Sequence, residues 1–281
     1  MRILSIQSHV SFGHAGNSAA VFPLQRLGHE VYPVLTVTFS NHTGYGAVRG
    51  PVIAPDDVRE VIAGIEDRGA FPGIDAVLSG YQGAEAVGAV VLDTVARVKA
   101  ANPAAVYCCD PVMGDVGRGF FVRDGIPAFM RDHVVPAADI VTPNQFELEY
   151  LTGRSVATLA DVVAAAAQLQ QAGPATVLVT SVLTDDTPHG SIQMLCSSPD
   201  GTWIVTTPLL PMTVQGGGDV TAALFLAHTL TDGPAVALSR TAATLHTVLS
   251  ATHAAGQYEM ALVAEQEAIA HPDERFEVTA L

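Results

Sequence analysis

Positive charge is scarce in this chain, and lysine is scarcest of all. Against 28 Asp and Glu stand 13 Lys and Arg, of which Lys99 is the single lysine. A net charge of −15 and a pI near 4.8 argue against nucleic acid or an anionic membrane as partner, because both require a basic face. One lysine also removes several chemistries. A Walker A loop, a protein-kinase strand lysine and a pyridoxal-phosphate Schiff base each need a lysine in a defined context. Lys99 lies instead in Ala96-Arg-Val-Lys-Ala-Ala-Asn102, the end of an amphipathic helix. If the chain handles phosphate, it uses backbone N–H groups, arginines and a metal ion. Cysteine is equally sparse: Cys108, Cys109 and Cys196 are odd in number and two are adjacent, which suits neither a disulfide framework nor metal-ligand spacing. They read as reduced thiols of a cytoplasmic protein. No apolar run reaches the roughly 18 residues that span a bilayer. Residues 1–8 have a strand pattern rather than that of a signal peptide.

What the chain does have is apolar content, 49% with mean hydropathy +0.33, enough for one large core. We expect a single domain over residues 1–281. Short apolar runs at 3–8, 31–38, 75–79, 105–109, 139–142 and 176–180 read as strands. Helical patterns near 16–27, 55–68, 84–101, 126–133, 145–151 and 159–171 alternate with them. That order predicts a parallel sheet covered on both faces. The runs 191–196 and 202–207, joined across Ser-Ser-Pro-Asp-Gly, read as an antiparallel hairpin at one edge. Helices over 219–230, 235–254 and 258–270 complete the chain. Residues 38–53 are too polar and glycine-rich for a crossover helix and read as a flap over a pocket.

In doubly wound sheets ligands bind beyond the carboxyl ends of the strands, and the residues at those ends are unusually polar. Ser8 and His9 follow the first strand, Ser79-Gly80-Tyr81 the third, and Cys109-Asp-Pro-Val-Met-Gly-Asp115 the fourth. Thr142-Pro-Asn-Gln-Phe-Glu147 follows the fifth, and Thr180-Ser181 the sixth. Asp110, Asp115 and Glu147 supply hard oxygen atoms suited to a hydrated Mg²⁺. Crowded carboxylates need a cation to offset them. The Asn144 and Glu147 pair also has the spacing of a helix capping box.

The run Gly216-Gly-Gly-Asp219, leading into Val-Thr-Ala-Ala-Leu-Phe-Leu-Ala-His228, combines bare backbone N–H groups with a helix N-terminus, an anion-binding arrangement. Its ordinary structural use is a turn with Asp219 as N-cap. A carboxylate inside a phosphate nest has a second use, accepting a proton from a hydroxyl that attacks a phosphoryl group.

Taken together, Ser5-Ile-Gln-Ser-His-Val10, Ala15-Gly-Asn17, Phe39-Ser-Asn-His-Thr-Gly-Tyr45, Leu78-Ser-Gly-Tyr81, the Asp110 and Thr142 motifs and Gly216-Gly-Gly-Asp219 resemble the pyridoxal kinases of the ribokinase-like superfamily. The similarity runs from about residue 2 to about residue 230. It implies a ribokinase-like three-layer α/β/α sandwich with a mostly parallel central sheet, an antiparallel edge hairpin and a small flap. It also implies transfer of the γ-phosphoryl group of ATP to the 5′-hydroxymethyl of pyridoxal. By resemblance, Asp219 is the base and Gly216, Gly217 and Gly218 form the anion hole. Ser8, Thr43 and Tyr81 hold the pyridoxal ring. Asp110, Asn144, Glu147, Thr180, Ser181 and Phe121 meet ATP, while Asp110, Asp115, Thr142 and Glu147 attend the metal. The implied cofactor is Mg²⁺, with a monovalent cation such as K⁺ as a possible accessory, and the implied assembly is a homodimer. Gly217 stands where the family usually has Thr or Val, and Phe121 where some members have a tyrosine. Two other readings remain open at this level: a hydroxymethylpyrimidine-type kinase, against which Asp219 counts because those enzymes usually carry cysteine there, and a vitamer-binding protein without turnover.

Overall fold

The computed structural model describes residues 1–281. Nine strands form one sheet in the order β2-β1-β3-β4-β7-β8-β9-β10-β11. These are β1 (Arg2–Phe12), β2 (Glu30–Asn41), β3 (Ala76–Ser79), β4 (Val106–Cys109), β7 (Ile140–Val141), β8 (Thr176–Val182), β9 (Ser191–Ser198), β10 (Gly201–Pro208) and β11 (Val278–Ala280). The first six pair in parallel. β9, β10 and β11 join antiparallel. A separate two-stranded ribbon is made by β5 (Gly114–Asp115) and β6 (Gly119–Phe120).

Successive strand residues point to opposite faces, and the buried side chains divide accordingly. Leu4, Ile6, Val77, Tyr107, Cys109 and Val141 pack beneath α2 (Pro55–Asp67), α3 (Glu85–Ala101), α6 (Gln145–Thr152) and α7 (Leu159–Gln171). Ile3, Ala76, Leu78, Cys108 and Ile140 pack under α1 (Asn17–Arg26), α8 (Gly217–Asp232) and α9 (Pro234–Ala254). The two adjacent cysteines therefore face opposite layers and cannot bridge. All three thiols are free and buried, and burial pushes those of Cys109 and Cys196 up to about 12, so they are inert. Helix α8 is buried on every side from Val220 to His228, as expected of a helix with an apolar circumference. The lone lysine is structural: Lys99 Nζ, near the end of α3, pairs with Asp139 at 2.7 Å just before β7.

Several local expectations need correction. The hairpin is not the edge, because β11 adds to β10 and is itself only three residues long. The expected helix near 126–133 is present and continues to Ala137, passing from α4 (Ile126–Phe129) through a π-helical stretch at Met130–Val134 into α5 (Val135–Ala137). Residues 258–265 are turns rather than helix, and only α10 (Gln266–Ala270) is helical. In that segment Met260 and Leu262 are buried, a spacing of two that anchors an extended chain rather than a helix face. The 38–53 segment is partly strand: β2 runs on to Asn41 beside β1, a 3₁₀ turn covers Thr43–Tyr45, and Val52 returns to bridge Val37.

Candidate active site

Beyond the carboxyl ends of β1, β3, β4, β7 and β8 lies a cavity of about 420 Å³. Every residue given a site role by the resemblance borders it: Ser8, Thr43, Tyr81, Asp110, Asp115, Phe121, Thr142, Asn144, Glu147, Thr180, Ser181 and the run Gly216 to Asp219. The chain passes from β1 to β2 on one side of the sheet and then to β3 on the other, so β1 and β3 form the topological switch point where such crevices open.

At one end, α8 begins at Gly217 with Gly216 as N-cap in the left-handed conformation, φ 79°. A side chain at Gly216 would strike the carbonyl of His14. Gly217 is different, because a Cβ there would merely touch Val214 at 3.6 Å. Glycine in place of a larger residue thus leaves the nest's backbone intact. Asp219, in the first turn of α8, accepts the N–H of Gly16 on Oδ2 at 2.8 Å. Gly16 has φ 56°, and a Cβ on it would overlap the hydroxyl and carbonyl oxygens of Ser8. The β1–α1 loop can approach Asp219 only as glycine. Burial pushes the Asp219 carboxyl up to about 6, the Gly16 amide opposing the shift. A carboxylate so placed titrates near neutrality.

The acids at the strand ends divide into two kinds. Glu147 is buried, and both its oxygens are occupied. Oε1 accepts the amides of Met113 (2.8 Å) and Gly114 (3.4 Å), and Oε2 accepts that of Asn144 (3.0 Å). Asn144 completes the capping box by accepting from Glu147 N. Burial raises the Glu147 carboxyl to about 7 against these amides. Glu147 is therefore a tie between the β4–β5 turn and α6. Asp110 is the opposite case. It is buried, accepts from Thr142 Oγ1 at 3.2 Å, and has no Lys or Arg partner. Burial, then the charges of Glu147 and Asp219, push its pKa well above the usual carboxylate range. Asp115 is exposed and accepts from Val116 N at 2.7 Å. No three carboxylate or imidazole groups converge into a protein-only metal cage. A magnesium ion, which keeps several waters and shares phosphate oxygens, needs only one or two carboxylates. Asp110, unpaired beside two further carboxyls, fits that demand; Glu147 fits it only through water.

At β8 the pairing with β9 slips between Val179 and Val182, and Ser181 is the single non-glycine residue with positive φ, 54°. The bulge turns Thr180 and Ser181 toward the cavity. Phe121 lies at the cavity rim, 5.3 Å from the guanidinium of Arg118, which lines the cavity too. The ribbon bearing them is anchored by Phe120, which packs edge-on against Phe146 and Tyr150 of α6.

Sequence reasoning missed other lining residues. Arg118 is the only Lys or Arg in the cavity wall and forms no salt bridge; its sequence context carries no motif. Leu209, Leu210, Met212 and Val214, with Ala242, Leu245 and Leu249 of α9, supply an apolar wall that only tertiary packing assembles. His42 lines the cavity, whereas His9 does not.

A family model described as phosphomethylpyrimidine kinase matches residues 11–262. Pyridoxal kinase PdxY of Leifsonia xyli subsp. xyli is 58% identical over 280 residues, 99% of either chain. The protein of the same name from Rubrobacter xylanophilus is 58% identical, covering 99% of this chain and 97% of its own. Among solved structures, pyridoxal kinase from Leishmania donovani in complex with ADP and ginkgotoxin superposes with a TM-score of 0.94 at 31% identity, covering 100% and 99% of the two chains.

Proposed function

The chain belongs to the pyridoxal kinases, within the family that the matching model describes, and we infer that it transfers the γ-phosphoryl group of ATP to the 5′-hydroxymethyl of pyridoxal, giving pyridoxal 5′-phosphate. The observation that carries this reading is the placement of Asp219 in the first turn of α8 beside the glycine nest, its carboxyl pushed up by burial to about 6, in one cavity with the unpaired acid Asp110.

Asp219 orients the acceptor hydroxyl and takes its proton as the phosphoryl group arrives. The base need not be strong, since phosphoryl transfer passes through a loose transition state in which positioning and charge neutralisation supply most of the acceleration. The N–H groups of Gly216, Gly217 and Gly218, with the α8 dipole, receive the transferred phosphoryl oxygens. Ser8, Thr43 and Tyr81 hold the ring. Thr180, Ser181 and Asn144 contact the nucleotide phosphates, and Phe121 packs near the nucleotide. A divalent ion, which we assign as Mg²⁺, would be held by Asp110 together with Asp115, Thr142 and Glu147, and when bound would offset charge on the phosphates. A monovalent cation such as K⁺ beside it, a homodimeric assembly and a cytoplasmic location are parts of the same reading; the three buried free thiols support the location.

The test is ADP release by purified protein with Mg-ATP, comparing pyridoxal, pyridoxine, pyridoxamine and hydroxymethylpyrimidine against a blank without acceptor. Turnover far above the others with pyridoxal is expected. The family model's description keeps hydroxymethylpyrimidine as the second acceptor to compare, and turnover mainly with it would replace the assignment. Pyridoxal binding without turnover would favour a carrier.

A further inference from the structure

Glu259 sits in the turns after α9, outside the cavity wall, yet its carboxylate ties together two segments that border the cavity. Oε2 accepts the N–H of His14 at 2.8 Å. Oε1 accepts Nε2–H of His42 at 2.8 Å and the hydroxyl of Tyr45 at 2.9 Å. His42 and Tyr45 flank Thr43 in the 3₁₀ turn at the tip of the flap. His14 belongs to the β1–α1 loop, two residues before the Gly16 amide that Asp219 accepts. One short loop is thus gripped by two carboxylates, one the assigned base and the other bound to the flap.

The surroundings reinforce the grip. The His42 ring stacks on Tyr45 with centroids 4.7 Å apart, and Tyr258 meets both at 5.5 and 5.0 Å. Phe12, at the end of β1, packs on Tyr45 at 5.8 Å. His42 is only 6% exposed and Glu259 20%, so the bond between them is charge-assisted with restricted access to water, while that from the Tyr45 hydroxyl is exposed. Two glycines let the segments meet. A Cβ at Gly13 would overlap the Glu259 carboxylate, and one at Gly44 would come within 2.9 Å of both His42 Nδ1 and the Tyr258 hydroxyl.

We propose that Glu259 is a positioning residue for acceptor binding, latching the flap that carries Thr43 to the loop that carries Gly16 and so setting the span between Thr43 and Asp219 that the acceptor must bridge. The inference rests on the pyridoxal kinase reading and adds to it a residue that touches neither substrate. Its action runs through His42 and Tyr45. Removing the carboxylate leaves the Nε2–H of a buried histidine without its acceptor, and the closed turn loses its main tie.

The test uses the full-length protein in three variants, Glu259→Ala, Glu259→Gln and Tyr45→Phe, with two readouts. Hydrogen exchange over residues 40–50 in the substrate-free protein reads the latch directly. Steady-state kinetics read KM for pyridoxal and for ATP separately. For Glu259→Ala we expect flap exchange and KM for pyridoxal each to rise on the order of tenfold, with KM for ATP within about twofold. Glu259→Gln keeps one carbonyl acceptor but turns an NH₂ group toward a donor, and falls between. Tyr45→Phe keeps the ring and loses one of three donors, for a rise of about threefold. Unchanged flap exchange overturns the latch, and equal rises in both KM values overturn the positioning role. Should Glu259→Ala fail to fold, an unchanged KM for pyridoxal in Tyr45→Phe overturns it as well. Wild-type protein that does not turn over pyridoxal sinks the functional reading alone, since the exchange measurement still decides whether the latch exists.

Discussion

Replacing Asp219 by asparagine should make the protein more stable and nearly inactive, and the two effects have separate sources. The folded carboxyl titrates at about 6, against an ordinary value of 3.8. A group whose pKa is raised on folding binds its proton more tightly in the native state. Stability therefore falls as pH rises from about 4 to about 6, and the full penalty is present above that. A shift of about two units corresponds to roughly 3 kcal/mol, and partial solvent access at the cavity wall trims it to about 1–3 kcal/mol. Asparagine removes the charge while its Oδ1 still accepts the Gly16 amide. For a chain of this size the melting temperature at pH 7.5 should rise by about 2–6 °C, and the difference should vanish near pH 4. Turnover should drop by about 10²–10⁴-fold, the usual contribution of a positioned base. The wild-type kcat/KM should show an acidic limb near pH 6, where Asp219 takes up its proton. Thermal melts at both pH values and coupled ADP release measure the whole set. A lower melting temperature at pH 7.5 would refute the burial argument, and turnover within tenfold of wild type would remove Asp219 from proton transfer.

Other consequences can be checked alongside. Arg118→Gln, which removes the one Lys or Arg lining the cavity, should raise KM for ATP about five- to tenfold and steepen no further with salt, while Arg118→Lys recovers part of the loss; an unchanged KM would place Arg118 outside nucleotide binding. Glu147→Ala leaves the amides of Met113, Gly114 and Asn144 without their acceptor, and chemical denaturation should register a loss of about 2–4 kcal/mol together with reduced turnover. Chelation of divalent ions should abolish ADP release and leave pyridoxal binding intact by calorimetry; turnover in excess chelator would contradict the assignment at Asp110.

Much of the architecture was legible because the strands are buried on both faces. Continuous apolar runs such as Ile3 to Ile6 must be covered on each side, and their alternation with helical patterns dictates a parallel sheet. The elements misread were those without a periodic signal of their own. β5, β6 and β11 are two or three residues long, held by neighbours rather than by propensity. Residues 258–265 contain apolar positions compatible with a helix, yet Met260 and Leu262 dock on α1 and α8 and hold the chain in turns. The strand-end residues could be found because each lies just after a recognisable strand. Arg118, the α9 wall and Glu259 could not, since nothing in their local sequence says that they meet the cavity or its flap.

The layered fold, the polar groups at the strand ends and the glycine run before α8 are written locally, because periodicity, strand burial and the steric freedom of glycine are local properties. Which of those groups meet is settled by long-range packing. The Gly16 amide reaches Asp219 across 203 residues, and Glu259 reaches His14 across 245 and His42 across 217. Hydrogen bonds between such distant groups depend on how the sheet orders its strands and how the last helices fold back over them, and no local pattern encodes that. The same packing that closes the core also desolvates Asp219 and Asp110, so their chemistry is a property of the folded chain rather than of the residues alone.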